Sequence, residues 1–275
     1  IDLPPNFAPM HAFDNGELDI RDEWLAGYPR TPDEIKANIV AYYAMITHMD
    51  EQIGKIISAL DEKGLRDNTL IVFSSDNGLA VGQHGLMGKQ NLYEHSIKVP
   101  LIFQGPGIPK GKTDRQLVYT TDLFPTLCDL TGTNKPGSLD GISLVNTFIN
   151  SKRKERSSLV FAYKNNQRAI RKGEYKLIEY LVNGQKTGQL FHLKSDPWEM
   201  KNLYQLKAFQ EKKKALQKEL QKQLTQFNDP VKLSLEDWGV KPIPSWIDKV
   251  SPSTIETLRK LAMKDRKLRG YHASE

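Results

Sequence analysis

The run Thr69-Leu70-Ile71-Val72-Phe73-Ser74 is almost wholly apolar, and it constrains the fold more than any other stretch of the sequence. A strand with one wet face alternates apolar and polar residues. A continuous apolar run instead predicts burial on both faces, as in a parallel sheet covered by helices. A second such run, Val99-Pro100-Leu101-Ile102-Phe103, is closed by Gly105-Pro106-Gly107. Ahead of the first run, apolar residues from Ile35 through Ile39, Tyr42, Tyr43, Ile46, Met49, Ile53, Ile56, Ile57 and Leu60 recur at intervals of three and four. Thr31 suits an N-cap, Pro32 the first helical position, and Asp33 and Glu34 the positive end of the helix dipole. These signals predict one helix over about 33–63, stopped by Gly64. A further helix is expected between Val118 and Leu130, with Asp122 near its start and Pro125 in its first turn. A helix–strand–loop–strand–helix order argues an α/β fold.

After about residue 150 the texture changes. Leu159–Tyr163, Arg168–Ile170, Tyr175–Tyr180 and Gly188–His192 are closely spaced strand candidates separated by Lys172-Gly173 and Asn183-Gly184, a small antiparallel sheet. Residues 205–226 are expected to form a polar helix with Leu206, Leu216, Leu220 and Leu224 on one stripe. Three divisions follow: 1–150 as part of an α/β domain, 151–228 as a small sheet-plus-helix subdomain, and 229–275 as an extension of unassigned structure.

The chain of 275 residues is 39% hydrophobic and 26% charged, enough for a sizeable core and unlike a disordered tail. No apolar run approaches the roughly 20 residues of a membrane span. The single cysteine, Cys128, excludes an internal disulfide and a cysteine-rich metal cluster. The net charge of +6 is concentrated in Lys152-Arg153-Lys154, Lys212-Lys213-Lys214 and the tail from Arg259 to Arg269. Such runs are read first as solvated surface and second as a polyanion-binding patch; without a recognition motif, nucleic acid is not expected. The segment Ile1-Asp2-Leu3-Pro4-Pro5 has neither an initiator methionine nor a signal peptide and reads like the interior of a longer protein.

The residues with chemistry to offer follow the first apolar strand. In open α/β sheets ligands sit beyond the carboxyl ends of strands. Asp76 and Asn77 supply hard oxygen donors suited to Ca²⁺ or Mg²⁺, and Gly78 permits the chain to turn. On spacing alone an Asx turn explains them as well. The glycine-punctuated loop Val81–Glu94 then joins the two apolar strands, carrying Lys89, which can reach an anion, and His84, which can hydrogen-bond a substrate.

Residues 69–103, containing S-S-D-N-G, G-Q-H-G-L-M-G-K and Y-E-H-S-I-K-V-P-L-I-F, resemble the second half of the formylglycine-dependent sulfatases of the alkaline-phosphatase-like superfamily. So do A-Y-Y-A-M-I-T-H-M-D, Y-T-T-D-L-F-P-T-L-C-D-L-T-G, L-D-G-I-S-L, A-I-R-K-G-E-Y-K-L-I and L-F-H-L-K-S-D-P-W-E-M-K-N-L. The matches run in order from about residue 30 to 204. The resemblance implies the C-terminal part of an alkaline-phosphatase-like sandwich with a small antiparallel α+β subdomain.

It also implies roles. Asp76 and Asn77 match ligands of a divalent cation, usually calcium. Lys89 matches the lysine on the sulfate and leaving-group oxygen, and His84 falls in the family's Gly-x-His-Gly stretch on the substrate side. The Cys/Ser-x-Pro-Ser-Arg signature, whose first residue becomes the formylglycine nucleophile, is absent; Cys128 sits in Leu-Cys-Asp-Leu and reads as a core residue. The remaining metal aspartates are absent as well. The expectation is therefore part of a sulfatase acting on a sulfated small molecule or glycan, with these 275 residues inactive alone and the parent periplasmic, secreted or lysosomal. The alternatives are a phosphodiesterase or phosphonate hydrolase of the same superfamily and a non-catalytic polyanion-binding module.

Overall fold

The amphipathic pattern folds as one helix, α1 (Pro32–Glu62), with Thr31 Oγ1 accepting the Glu34 N–H at 3.4 Å. Gly64, at φ 63°, ends it in the left-handed region, where a glycine carries no Cβ penalty, and the Leu65 N–H closes back on the Leu60 carbonyl at 2.9 Å. A computed structural model describes residues 1–149 and 156–234, with Ser251, Ser253, Glu256, Thr257 and Lys260. The Lys152-Arg153-Lys154 run, most of the 229–275 extension and the basic tail from Arg259, apart from Lys260, lie outside the described residues.

In chain order there follow β1 (Ile71–Ser74), β2 (Ala80–Val81), β3 (Met87–Gly88), α2 (Glu94–Ile97) and β4 (Leu101–Gln104). Then come α3 (Leu123–Thr131), α4 (Val145–Phe148), β5 (Ser158–Tyr163), β6 (Gln167–Lys172), β7 (Tyr175–Val182), β8 (Gln185–His192) and α5 (Gln210–Gln226). These elements form two compact units. One gathers Ile1–Thr47, Asn77–Lys98 and the chain from Val160; the other gathers His48–Asp76 and Val99–Leu159, so α1 contributes to both.

In the second unit β1 pairs with β4 antiparallel, in the register Ile71↔Gln104 to Ser74↔Leu101. This corrects the expectation of a parallel sheet buried on both faces. Every β1 residue is half-buried and Ile102 of β4 is exposed, because the pair has no third strand among the described residues. The apolar stripe of α1 shares this state: Ile35 and Ile39 are buried, whereas Tyr43, Ile46, Met49 and Ile56 are exposed. The start of α3 is held by Asp122, which is wholly buried. It accepts N–H bonds from Tyr119 and Ile142, both at 2.8 Å, and pairs with Arg156 through both carboxylate oxygens. Every lone-pair direction of the carboxylate is thus used, which burial of a charge demands. Cys128 lies on the buried side of α3, as expected of a core residue.

In the first unit, which takes in β5 from Val160, β5–β8 form a four-stranded meander whose β6–β7 and β7–β8 pairs are antiparallel, and the Asn183-Gly184 turn has both residues at positive φ, as a type I′ hairpin requires. Alternate residues face opposite ways. Ile170, Leu177 and Leu190 pack under Leu216, Leu220 and Leu224 of α5, where each buried leucine contributes about 2 kcal/mol. Leu206 is not on that stripe; it precedes the helix and is exposed. Ala169, Ile178, Tyr180 and Phe191 pack on the opposite face with Ala80, Leu86, Leu92 and Tyr93. The sheet is therefore a platform with α5 on one side and the loop carrying His84 and Lys89 on the other. In the basic run of α5, Lys212 and Lys213 lie over the rings of Tyr175 and Tyr204 and Lys214 pairs with Glu211, a solvated helix face.

Candidate active site

Asp76 is exposed and Asn77 half-buried, directly beyond β1. The Asn77 Nδ2 donates to the Gly78 carbonyl at 2.8 Å, which identifies the other end of the amide as its oxygen. Gly78 is fixed against α2: its N–H donates to the Ser96 carbonyl at 2.8 Å, and a Cβ here would meet the His95 carbonyl oxygen at 2.1 Å. Gly78→Ala is accordingly expected to cost about 2 kcal/mol by forcing that turn off α2, whereas Gly137→Ala, which meets nothing within 4 Å, should cost far less. Urea denaturation of the two variants checks this; equal stabilities would show that the turn yields freely.

The two oxygens fit a hard divalent cation in type but are too few to complete its sphere of six to eight donors. Among the described residues no group of three or more His, Cys, Asp or Glu side chains could hold a metal ion. Asp76 and Asn77 are at most part of a donor set.

Lys89 is exposed just after β3, on a rigid support. Its backbone N–H donates to Gln90 Oε1 at 2.9 Å, and Gln90 Nε2 donates to Asp22 Oδ2 at 2.7 Å. Gly88, at φ 80°, leaves no room for a side chain, since a Cβ would lie 2.6 Å from the Asp22 Cβ. The bonds from Gln90 and Arg21 hold the Asp22 carboxyl below its ordinary value, and the nearby Lys89 charge adds to this. One residue further back, the Met87 N–H donates to Glu23 Oε2 at 2.9 Å. Glu23 pairs with Arg30, a wholly buried guanidinium that also donates to the Gly85, Glu23 and Ala26 carbonyls. The residues 22–30 thus grip both ends of the stretch between Gly85 and Gln90.

His84 sits in the left-handed region at φ 52°, an unusual place for a residue with a side chain. Its N–H donates to the Asn6 carbonyl at 2.7 Å, and Asn6 Nδ2 lies 3.0 Å from its Nε2. The ring stacks on Tyr93 with centroids 4.0 Å apart and planes 15° from parallel. Tyr93 meets His95 on a stacked geometry and His11 through its hydroxyl, 2.9 Å from Nε2. Burial holds His84 well below the ordinary imidazole value, pushes His11 down to about 4 and His95 to about 3. Beneath them Lys176 of β7, wholly buried, bridges Glu199 at 2.6 Å and Glu94 at 3.3 Å, and Arg171 of β6 adds a bond to Glu94 at 2.9 Å.

Asn77, His84 and Lys89 are therefore all carried by the 77–98 segment of the first unit, and Asp76 is the last residue before that segment. Asn6, His11, Tyr93, His95, Lys176 and Glu199 were not marked by the sequence. Tyr93-Glu94-His95 stands within a recognisable run, but what these side chains touch comes from segments some 80 to 190 residues apart.

Oxygen donors beyond a strand end and a lysine on a braced glycine loop are groups suited to binding an anionic ester. The comparisons with known proteins narrow this. The model of the sulfatase family matches residues 5–133, and that of the N-sulphoglucosamine sulphohydrolase C-terminal region matches residues 82–227. The chain belongs to the sulfatase family and has its alkaline-phosphatase-like fold. It is 36% identical over 182 residues to a choline-sulfatase of Rhizobium meliloti, a match covering 63% of this chain and 34% of that protein. A solved structure in complex with its substrate D-glucosamine-2-N,6-O-disulfate superposes with a TM-score of 0.67 at 28% identity, over 73% of this chain and 43% of that one. The phosphonate monoester hydrolase of Agrobacterium radiobacter gives a TM-score of 0.61 at 27% identity, over 70% and 42% respectively. The chain spans about a third of the length of the choline-sulfatase it matches.

Proposed function

We propose that this chain is the part of a sulfate-ester hydrolase, acting on sulfated carbohydrates, that supplies the transferring-group lysine and a share of the cation site. The observation that carries the reading is the braced loop: Lys89 is exposed while its backbone is fixed by Gln90, Asp22 and the Glu23–Arg30 pair, in a chain of this family. A preorganised ammonium of this kind stabilises charge as it develops on a sulfuryl group and on the oxygen that leaves. Asp76 and Asn77 would supply part of the donor set of a divalent cation, calcium in this reading, and His84 would hydrogen-bond the sugar or ester oxygens. A bound cation would withdraw charge from the sulfate oxygens, and a formylglycine made from a Cys or Ser beyond these 275 residues would supply the nucleophilic oxygen. The parent protein acts outside the cytosol, in the periplasm, the medium or a lysosome.

In the intact parent protein Lys89→Ala is expected to lower kcat on a glucosamine sulfate by about 10²–10³-fold with an unchanged circular dichroism spectrum. Full activity in that variant would overturn the role of Lys89. The 275 residues alone are expected to show no turnover, and detectable hydrolysis by them would overturn the reading that the nucleophile lies elsewhere. The likeness to a phosphonate monoester hydrolase supports a second reading, phosphoryl or phosphonyl hydrolysis at the same residues. A higher kcat/KM for a phosphonate monoester than for any sulfate ester would select it.

A further inference from the structure

Asn6 lies on the Pro4–Phe7 turn and is 5% exposed, with no assigned part in the chemistry. Its Nδ2 has two neighbours, the Trp198 carbonyl oxygen and His84 Nε2, each at 3.0 Å. A carbonyl oxygen only accepts, so the Asn6 atom facing it must be the nitrogen, and the amide cannot be flipped. The second N–H of that nitrogen then meets His84 Nε2, which must present its lone pair. A neutral imidazole carries one proton, so the proton of His84 is on Nδ1. The imidazole is held where it lies by the stack of its face on Tyr93 and by its backbone N–H, tied to the Asn6 carbonyl at 2.7 Å, and the Trp198 carbonyl that fixes Asn6 also bonds the ring.

From this geometry we infer that Asn6 is a positioning residue that locks His84 in the Nδ1–H tautomer, making it a fixed, neutral hydrogen-bond donor toward an oxygen of the bound substrate. The part that concerns substrate rests on the placement of His84 proposed above; the lock itself rests only on Asn6, Trp198 and His84. A neutral donor suits a site that must hold an anionic ester without adding a mobile proton. Asn6 acts through His84 and is not itself in contact with reacting atoms.

Nitrogen-15 NMR of the histidine side chains reads the tautomer directly. In the wild-type chain the His84 proton is expected on Nδ1; finding it on Nε2 overturns the proposal whatever the variants do. Asn6→Ala removes the donor and should give a mixture of the two tautomers. Asn6→Asp presents only an acceptor and should move the proton to Nε2. An unchanged His84 signal in both folded variants would equally overturn the lock, while a merely structural role for Asn6 would lower stability without moving the proton. In the intact parent protein Asn6→Ala should reduce kcat/KM about tenfold, and His84→Ala added to it should cost little more. A shifted tautomer with unchanged kcat/KM would uphold Asn6 as the residue that sets His84 and overturn instead the reading that His84 faces substrate.

Discussion

Replacing Lys176 by alanine is expected to lower the unfolding free energy by about 3–5 kcal/mol, the cost of stranding a buried charge. Lys176 is wholly buried on β7 and holds Glu199 at 2.6 Å and Glu94 at 3.3 Å. Arg171 supports Glu94, and the Glu94 backbone N–H donates to Glu199 Oε2 at 2.7 Å. Without the ammonium, the Glu199 side chain, 1% exposed, has no cationic partner among these groups. Burial already raises its carboxyl above the ordinary value and Lys176 opposes that rise, so the variant should protonate Glu199. The paired change Lys176→Met with Glu199→Gln removes both charges, keeps an acceptor for the Glu94 N–H, and should recover most of the loss. Urea denaturation decides the matter: a Lys176→Ala chain within about 1 kcal/mol of wild type would mean that the network contributes nothing net.

The second large effect is acid lability. Burial pushes His11 down to about 4 and His95 to about 3, and holds His84 well below the ordinary value of 6.5. Below pH 6.5 the unfolded chain takes up three protons that the native chain refuses. The stability present above that pH is therefore lost as pH falls, until His11 titrates in the native state near pH 4 and His95 near pH 3. Three protons correspond to a slope of about 4 kcal/mol per pH unit inside that window. Glu23, Glu179 and Glu199, whose carboxyls burial raises, act the other way, since the native state takes up their protons early, and they reduce the net loss. The expected result is unfolding between pH 6.5 and 4, with a shallower slope in His95→Phe. A melting temperature constant from pH 7.5 to 4 would exclude this account.

His84 apart, both effects arise from residues that carried no sequence signal, and the reason is physical. Local signals report local partners. Thr31, Pro32 and Gly64 bounded α1 to within about a residue because capping and chain reversal act within a turn. Asn183-Gly184 likewise specified its hairpin. The candidate ligands Asp76 and Asn77 and the loop residues His84 and Lys89 were legible as chemistry beyond a strand. Lys176, by contrast, reads as one more lysine in a strand, and its burial follows from glutamates 82 and 23 residues away. Asn6 is invisible for the same reason, standing 78 residues from His84 and 192 from Trp198. The error over β1 has a related origin: composition tells what a strand's faces require, but the direction and number of its neighbours are set by chain segments elsewhere.

The apolar run at residues 69–74 determined, by itself, that a strand stands there, which the structure forms over Ile71–Ser74; the ordered motifs pointed to the family. Only the tertiary structure decided that β1 pairs antiparallel, that three imidazoles gather about Tyr93 over a buried Lys176, and that Asn6 faces His84. The division is one of range. Propensity, capping and hydrophobic period act over a few residues and are written in the local sequence, whereas desolvation and hydrogen-bond pairing depend on which distant segments meet.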